Sequence, residues 1–141
     1  MSAAIVAGVG SEGSGHRAAR FAAALAADLG APLLLVFGYD PILLGGEVGD
    51  LRAKVLEFAD RTLGELKATL SSEHPDLEIE NLLVEDRPVE SLVFVAEQRA
   101  PRAVVVGHGG RGPLTGALLG SVSYEIVHRC PVPVIVVPDE E

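Results

Sequence analysis

Tryptophan is absent from the sequence, aromatic side chains make up 4% of it, and cysteine occurs once, at position 130. A lone cysteine excludes an intramolecular disulfide and any cysteine-framed zinc site. So few rings leave little with which to stack the bases of a nucleic acid. Basic residues are scarce too: 11 Lys and Arg stand against 20 Asp and Glu, a formal net charge of −9. Such a surface repels DNA and RNA, and no Lys/Arg cluster of five or more breaks the pattern. A nucleotide is not excluded, because backbone N–H groups and a divalent cation outweigh a screened surface field. The acidity otherwise reads as a solubility feature. No apolar run approaches the ~20 residues of a membrane span, and MSAAIVAGVG has no basic leader region. The expectation is a cytoplasmic protein with neither a nucleic acid nor a membrane as partner.

What is present is apolar and aliphatic. Hydrophobic residues, mostly Ala, Val and Leu, are 48% of the 141-residue chain, which argues against disorder. The length suits one domain over residues 1–141, able to bury roughly 70% of its unfolded surface without a disulfide or metal.

Runs of strand length alternate with helical periods. Ala3–Val9 is a nearly continuous apolar run, as expected of a strand buried on both faces. Ser14–Leu29 is Ala-rich and helical, closed by Gly30. Pro32–Gly38 reads as a second buried strand and Tyr39–Gly49 as a glycine-rich loop. Asp50 is a candidate N-cap for a helix whose apolar stripe is Leu51, Val55, Phe58, Leu63, Leu66 and Leu70. Leu77–Val84 is a weaker strand. Pro88 opens a helix that runs to Arg99, where Pro101 prevents extension. Ala103–Gly107 is the fourth strand; a helix starting near Leu114 or Gly120 runs to Arg129, and Val132–Val137 is the last strand. Pro131 and Pro133 place that strand at a sheet edge. The order β-α-β-α-β-α-β-α-β predicts an α/β fold, an open five-stranded parallel sheet with helices on both faces. Ligands of such sheets bind at the carboxyl ends of the strands, where strand order reverses; strands 1 and 4 are the natural neighbours there.

A glycine-rich loop follows the fourth strand: Gly107, His108, Gly109, Gly110, Arg111 and Gly112, then Gly120, Ser121, Val122 and Ser123. Glycines permit positive φ and let a bulky anion approach without a Cβ in the way. Successive free N–H groups there form a concavity for phosphate oxygens. Gly120 and Ser121 open the last helix, whose N-terminal N–H groups favour an anion. Ser121 is placed to add a hydroxyl donor and Arg111 a charge-assisted bond, although an exposed Arg in such a loop is as readily solvated. A connecting turn with no ligand is the plainer alternative.

The spacing Gly107-x2-Gly110-x9-Gly120-Ser121 resembles the nucleotide-binding signature of the universal stress proteins at every gap. The opening strand, the Leu/Val-rich second strand and the closing Cys-Pro-Val-Pro-Val-Ile-Val-Val-Pro are similar to that family as well. The resemblance implies ATP, with Mg²⁺, held between the loops after strands 1, 2 and 4, and a homodimer. Carried over by position, Gly107 and Gly110 would bend around ribose and phosphates. Ser121, Val122 and Ser123 would bind terminal phosphates, and Val9, Phe37 and Val106 would flank adenine and ribose. One departure stands out: Gly10 occupies the place of the family's usual Asp after the first strand. That removes a polar anchor for sugar or base, a loss of ~1–3 kcal/mol where the partner groups stay unmet. Glu12 is either a substitute or an ordinary helix-entry residue.

No catalytic residue or metal ligand is expected. A Ser-His-Asp set and a Walker lysine are both missing, which argues against a kinase or a fast ATPase. His16, His74 and His128 have no zinc-ligand spacing, and Cys130 reads as a small packed residue. The expected function is a regulatory or sensor module in stress response. A weak nucleotide hydrolase or phosphotransferase, and a dimeric interaction protein without nucleotide, are the competing readings. Val134–Val137 is an apolar edge that a second copy would cover about a two-fold axis.

Overall fold

In the computed structural model the chain is described over residues 3–10, 14–39, 49–108 and 121–138. Five strands and four helices alternate: β1 (Ile5–Gly8), α1 (Ser14–Leu29), β2 (Leu33–Tyr39), α2 (Gly49–Glu73), β3 (Ile79–Glu85), α3 (Pro88–Arg99), β4 (Ala103–Gly107), α4 (Ser121–Arg129) and β5 (Val134–Val137). The strands form one sheet in the order β3-β2-β1-β4-β5, every neighbouring pair parallel. The chain winds outward from β1 to β3, then crosses back to lay β4 against β1. That reversal is the one the alternating pattern requires, and it sets the crevice between β1 and β4.

Side chains of the central strands divide between two cores with the period of two that a pleated strand imposes. Ile5, Ala7, Leu33, Leu35, Phe37 and Val105 join α1 and α2 on one face. Val6, Leu34, Val36, Val104 and Val106 join α3 and α4 on the other. Ala18, Ala19, Ala22, Ala23 and Ala26 of α1 have no exposed surface. Their short side chains let the helix lie close against the sheet, a contact that bulkier residues would hold apart.

Helix ends follow the local chemistry. Gly30 takes φ +66°, with its N–H bonded to the Ala27 carbonyl and the Ala31 N–H to that of Ala26, a Schellman closure of α1. Pro88 is the first residue of α3, and Ala100 ends that helix with φ 44° ahead of Pro101.

Several expected boundaries move. Gly49 begins α2, so Asp50 lies within the first turn instead of capping it. Ala59, not Phe58, takes the core position on that helix; Phe58 is exposed and meets Phe37 edge-on at 6.5 Å. β5 starts at Val134 because Pro133 has no N–H for the ladder, although its carbonyl accepts the Val104 N–H. Among the described residues no helix is long and apolar enough to cross a membrane.

Candidate functional site

Residues Val6 and Ala7 of β1 lie level with Val104 and Val105 of β4, and Gly8 lies level with Val36 of β2. The strand ends therefore reach the carboxyl edge of the sheet together. There β1 continues into buried Val9 and exposed Gly10, and β4 into half-buried Gly107 and His108. The Val9 N–H donates to the Val36 carbonyl at 2.8 Å, carrying the β1–β2 pairing one residue past the strand.

Helix α4 begins at Ser121, and its Ser123 side chain reaches the end of β4. The Ser123 hydroxyl, in a residue 2% exposed, donates to the His108 carbonyl at 2.9 Å. The first turn of α4 carries no acidic residue, and neither does that of α1, the helix that follows β1. Within these first turns no carboxylate offsets the N-terminal partial charge, which favours an anion. Helix α3 differs, with Glu90 in its first turn. The Arg129 guanidinium bonds the Glu90 carboxyl, which with Arg87 nearby is held below the usual carboxylate range.

On the other side of β1, strand β2 packs closely against α3. A Cβ placed on Gly38 would stand 2.3 Å from the Ser91 Oγ and 3.1 Å from the Asp86 carbonyl. Only a residue without a side chain lets the two elements meet there. Ser91 is fully buried, its hydroxyl 2.8 Å from the Arg87 carbonyl. Above this contact Arg52 of α2 pairs with Glu85 at the end of β3, at 2.9 Å.

The residues singled out from sequence divide into three groups. His108, which follows Gly107 at the end of β4, meets Ser123 in the first turn of α4, the turn that also holds Ser121 and Val122; Gly10 follows the neighbouring strand β1. Val9, Phe37 and Val106 are 5%, 4% and 3% exposed, so their side chains offer almost no surface. The first two belong to the α1/α2 core, whereas Val106 points through the sheet into the α3/α4 core. Gly109, Gly110, Arg111, Gly112 and Gly120 lie outside the described residues, as does Glu12. Sequence reasoning missed Gly38, Ser91 and the Arg52–Glu85 pair. No local pattern marks them, since each works through a partner distant in the chain. Among the described residues no group of three or more His, Cys, Asp or Glu could hold a metal ion.

The family model described as the universal stress protein family matches residues 1–138. A universal stress protein of Mycobacterium tuberculosis strain H37Rv is 43% identical over 82 residues, 58% of this chain and 27% of that relative. The chain thus matches about a quarter of the length of these mycobacterial relatives. A universal stress protein of Thermus aquaticus, encoded in the QAH/OAS sulfhydrylase 3′ region, is 34% identical over 131 residues, 89% of this chain and 93% of its own. Among solved structures, a universal stress protein in complex with cAMP has a TM-score of 0.72 at 26% identity, covering 99% of this chain and 98% of the other.

Proposed function

The chain belongs to the universal stress protein family, and on that premise we propose that it is a homodimeric regulatory module that binds an adenine nucleotide, ATP in the first place. The observation that carries this reading is the β4–α4 junction. A helix N-terminus without a first-turn carboxylate is fixed beside the end of β4, at the reversal of strand order. Such a junction offers N–H donors to phosphate oxygens. The cAMP complex of a structural relative supports adenine, ribose and phosphate as the shared ligand chemistry. The glycine spacing from Gly107 to Ser121 supports room for further phosphates.

In this reading Gly107, Gly109, Gly110, Gly112 and Gly120 let the backbone close on the phosphates, and Ser121 adds a hydroxyl donor. The backbone at Val9, Gly10, Phe37 and Val106 borders the base and ribose, since the valine and phenylalanine side chains are packed away. In the same reading Mg²⁺ arrives on the phosphates of the ligand, and hydrolysis is slow.

The dimer forms through β5. Among the described residues both outer strands have an unpaired edge, but β3 carries Glu80 and Glu85 with their partners Arg99 and Arg52, and charged groups on an edge strand oppose pairing with a second copy. β5 reads Val134-Ile135-Val136-Val137, with its first three residues only partly buried. Beside it, Tyr124 and Val127 of α4 are exposed on the helix flank opposite the Arg129–Glu90 link to α3. A second copy covers this apolar margin.

The test is to purify the protein, denature it and chromatograph the released small molecules, with binding calorimetry on the stripped protein. Stoichiometric ATP supports the sensor reading, and ADP or AMP accumulating with time supports a hydrolase. No released nucleotide and no heat with ATP, ADP, AMP or cAMP ends the proposal in favour of an interaction protein. Gly120→Val is expected to abolish binding, because a branched side chain occupies the space of the phosphate; unchanged affinity would remove the glycine loop from the site.

A further inference from the structure

Helix α2, 25 residues long, is held to the sheet unequally along its length. We propose that α2 is hinged at Leu63 and Gly64, and that Asn81 of β3 is the switch. Its side-chain amide now bonds the helix through one atom only. It inserts fully into the helical ladder when the half of α2 before Leu63 swings away from the sheet. The device is independent of the nucleotide reading and stands or falls without it.

The second half of α2 is anchored by Leu63, Leu66 and Leu70, which are 3%, 6% and 0% exposed. In the first half, among the described residues, the buried side chain is that of Ala59, which offers little apolar area. Val55 and Leu56 are partly buried and Phe58 is exposed. Since apolar stabilisation follows buried area, the first half is the more weakly held. Its start is tied to the sheet by Arg52 and Glu85, a solvent-open pair of the kind that contributes little. Gly64 stands at the boundary between the halves. A Cβ there would meet no atom within 4 Å, so packing does not call for glycine, and a glycine inside a helix weakens it.

Asn81 meets the helix at this same turn. It lies level with Leu35 in the β2–β3 ladder, and its Nδ2 donates to the Leu63 carbonyl at 3.3 Å. In an α-helix that carbonyl also accepts the N–H four residues on, here that of Lys67. The Asn81 Oδ1 is buried and, among the described residues, has no hydrogen-bond partner, a costly state for an acceptor. The complement offered by that turn is the Lys67 N–H. Parting the Leu63–Lys67 bond gives Nδ2 the carbonyl to itself and Oδ1 the freed N–H, so that all four groups are paired. Helices kink where a side chain enters the ladder in this way. Closed, α2 keeps its packing and leaves Oδ1 unmet; open, Oδ1 is met and the thin packing of the first half is given up. Because Arg52 meets Glu85 at the carboxyl end of β3, the end of α2 that moves is the one at that edge of the sheet.

The experiment measures backbone amide exchange, residue by residue, in the full chain and in Gly64→Ala and Asn81→Leu. In the unsubstituted chain the amides of residues 55–66 are expected to exchange as one group, about tenfold faster than those of 68–71. Gly64→Ala, which meets no clash, slows the first group about fivefold, the factor of the helix preference of alanine over glycine, and leaves the second within about twofold. Asn81→Leu has no amide to insert, and the difference between the groups closes. A single rate across both groups would show one rigid helix and overturns the proposal. A rate rising smoothly toward Gly49 would show fraying from the end and overturns it as well. So does a Gly64→Ala variant that slows both groups alike, since it then acts on global stability. A difference between the groups that persists unchanged in Asn81→Leu removes Asn81 from the hinge and refutes the switch.

Discussion

Gly38 is the residue at which the smallest chemical change has the largest calculable consequence. An added methyl would overlap Ser91, whose Cβ lies 2.8 Å and Oγ 2.3 Å from the position it would take. Ser91 cannot swing away, because it is fully buried and its hydroxyl is bonded to the start of α3. Gly38→Ala is expected to destabilise the protein by ~1–3 kcal/mol, the range for overpacking a tight contact, read as a lower urea midpoint. Combining it with Ser91→Gly, which removes both clashing atoms, should cost less than the sum of the single changes. Strict additivity in that cycle would show that the two residues do not meet as described. Gly30 is glycine for another reason: its φ of +66° closes α1, while no atom lies within 4 Å of the place a Cβ would take.

Helices α3 and α4 are joined at their surface by Glu90, which Arg129 bonds across the gap at 3.0 Å and Arg87, the residue before α3, also at 3.0 Å. The Arg129 hydrogen bond lowers the Glu90 pKa from its ordinary 4.5, and Arg99 does the same for Glu80. A carboxyl whose pKa is depressed on folding contributes stability above its unfolded value, and that contribution fades as pH falls through the folded value. Both pairs are partly open to solvent, so each is worth under ~1 kcal/mol and less in high salt. Glu90→Gln should therefore lower the urea midpoint slightly at pH 7, and the difference should shrink as pH drops below 4.5. A difference that grows in acid would contradict this assignment. The link also bears on the site, since it restrains the side of α4 facing away from the β5 margin.

At the level of the whole molecule, the sheet has one outer strand with charged pairs and one apolar outer strand, and the dimer proposal follows from that asymmetry. The Val104 N–H bonds to the Pro133 carbonyl, so by the alternation of a parallel ladder Ile135 and Val137 direct their N–H groups to β4. Val134 and Val136 direct theirs to the open edge. Val136→Pro removes an outward donor while sparing the β4–β5 bonds, and proline is tolerated in edge strands on those terms. Light scattering on a folded Val136→Pro variant is expected to give the monomer mass where the unsubstituted chain gives the dimer. A dimer that survives this change does not form through β5.

The order and kind of the elements were legible in the sequence because periodicity, glycine closure at Gly30 and the proline at position 88 act within a few residues. So was the place of β4 beside β1, at the strand-order reversal. Boundaries held less well, as at Asp50 and Pro133, where one backbone group decides. What only the tertiary structure decided involves partners far apart in the chain. It put Val106 on the opposite face from Val9 and Phe37, gave Ala59 the core position beside exposed Phe58, and set Ser91 against Gly38. It also brought the Ser123 hydroxyl to the His108 carbonyl, a partner fifteen positions away. A hydroxyl serves whichever acceptor folding brings to it, and that choice is made by strand register and helix docking, which no local spacing encodes.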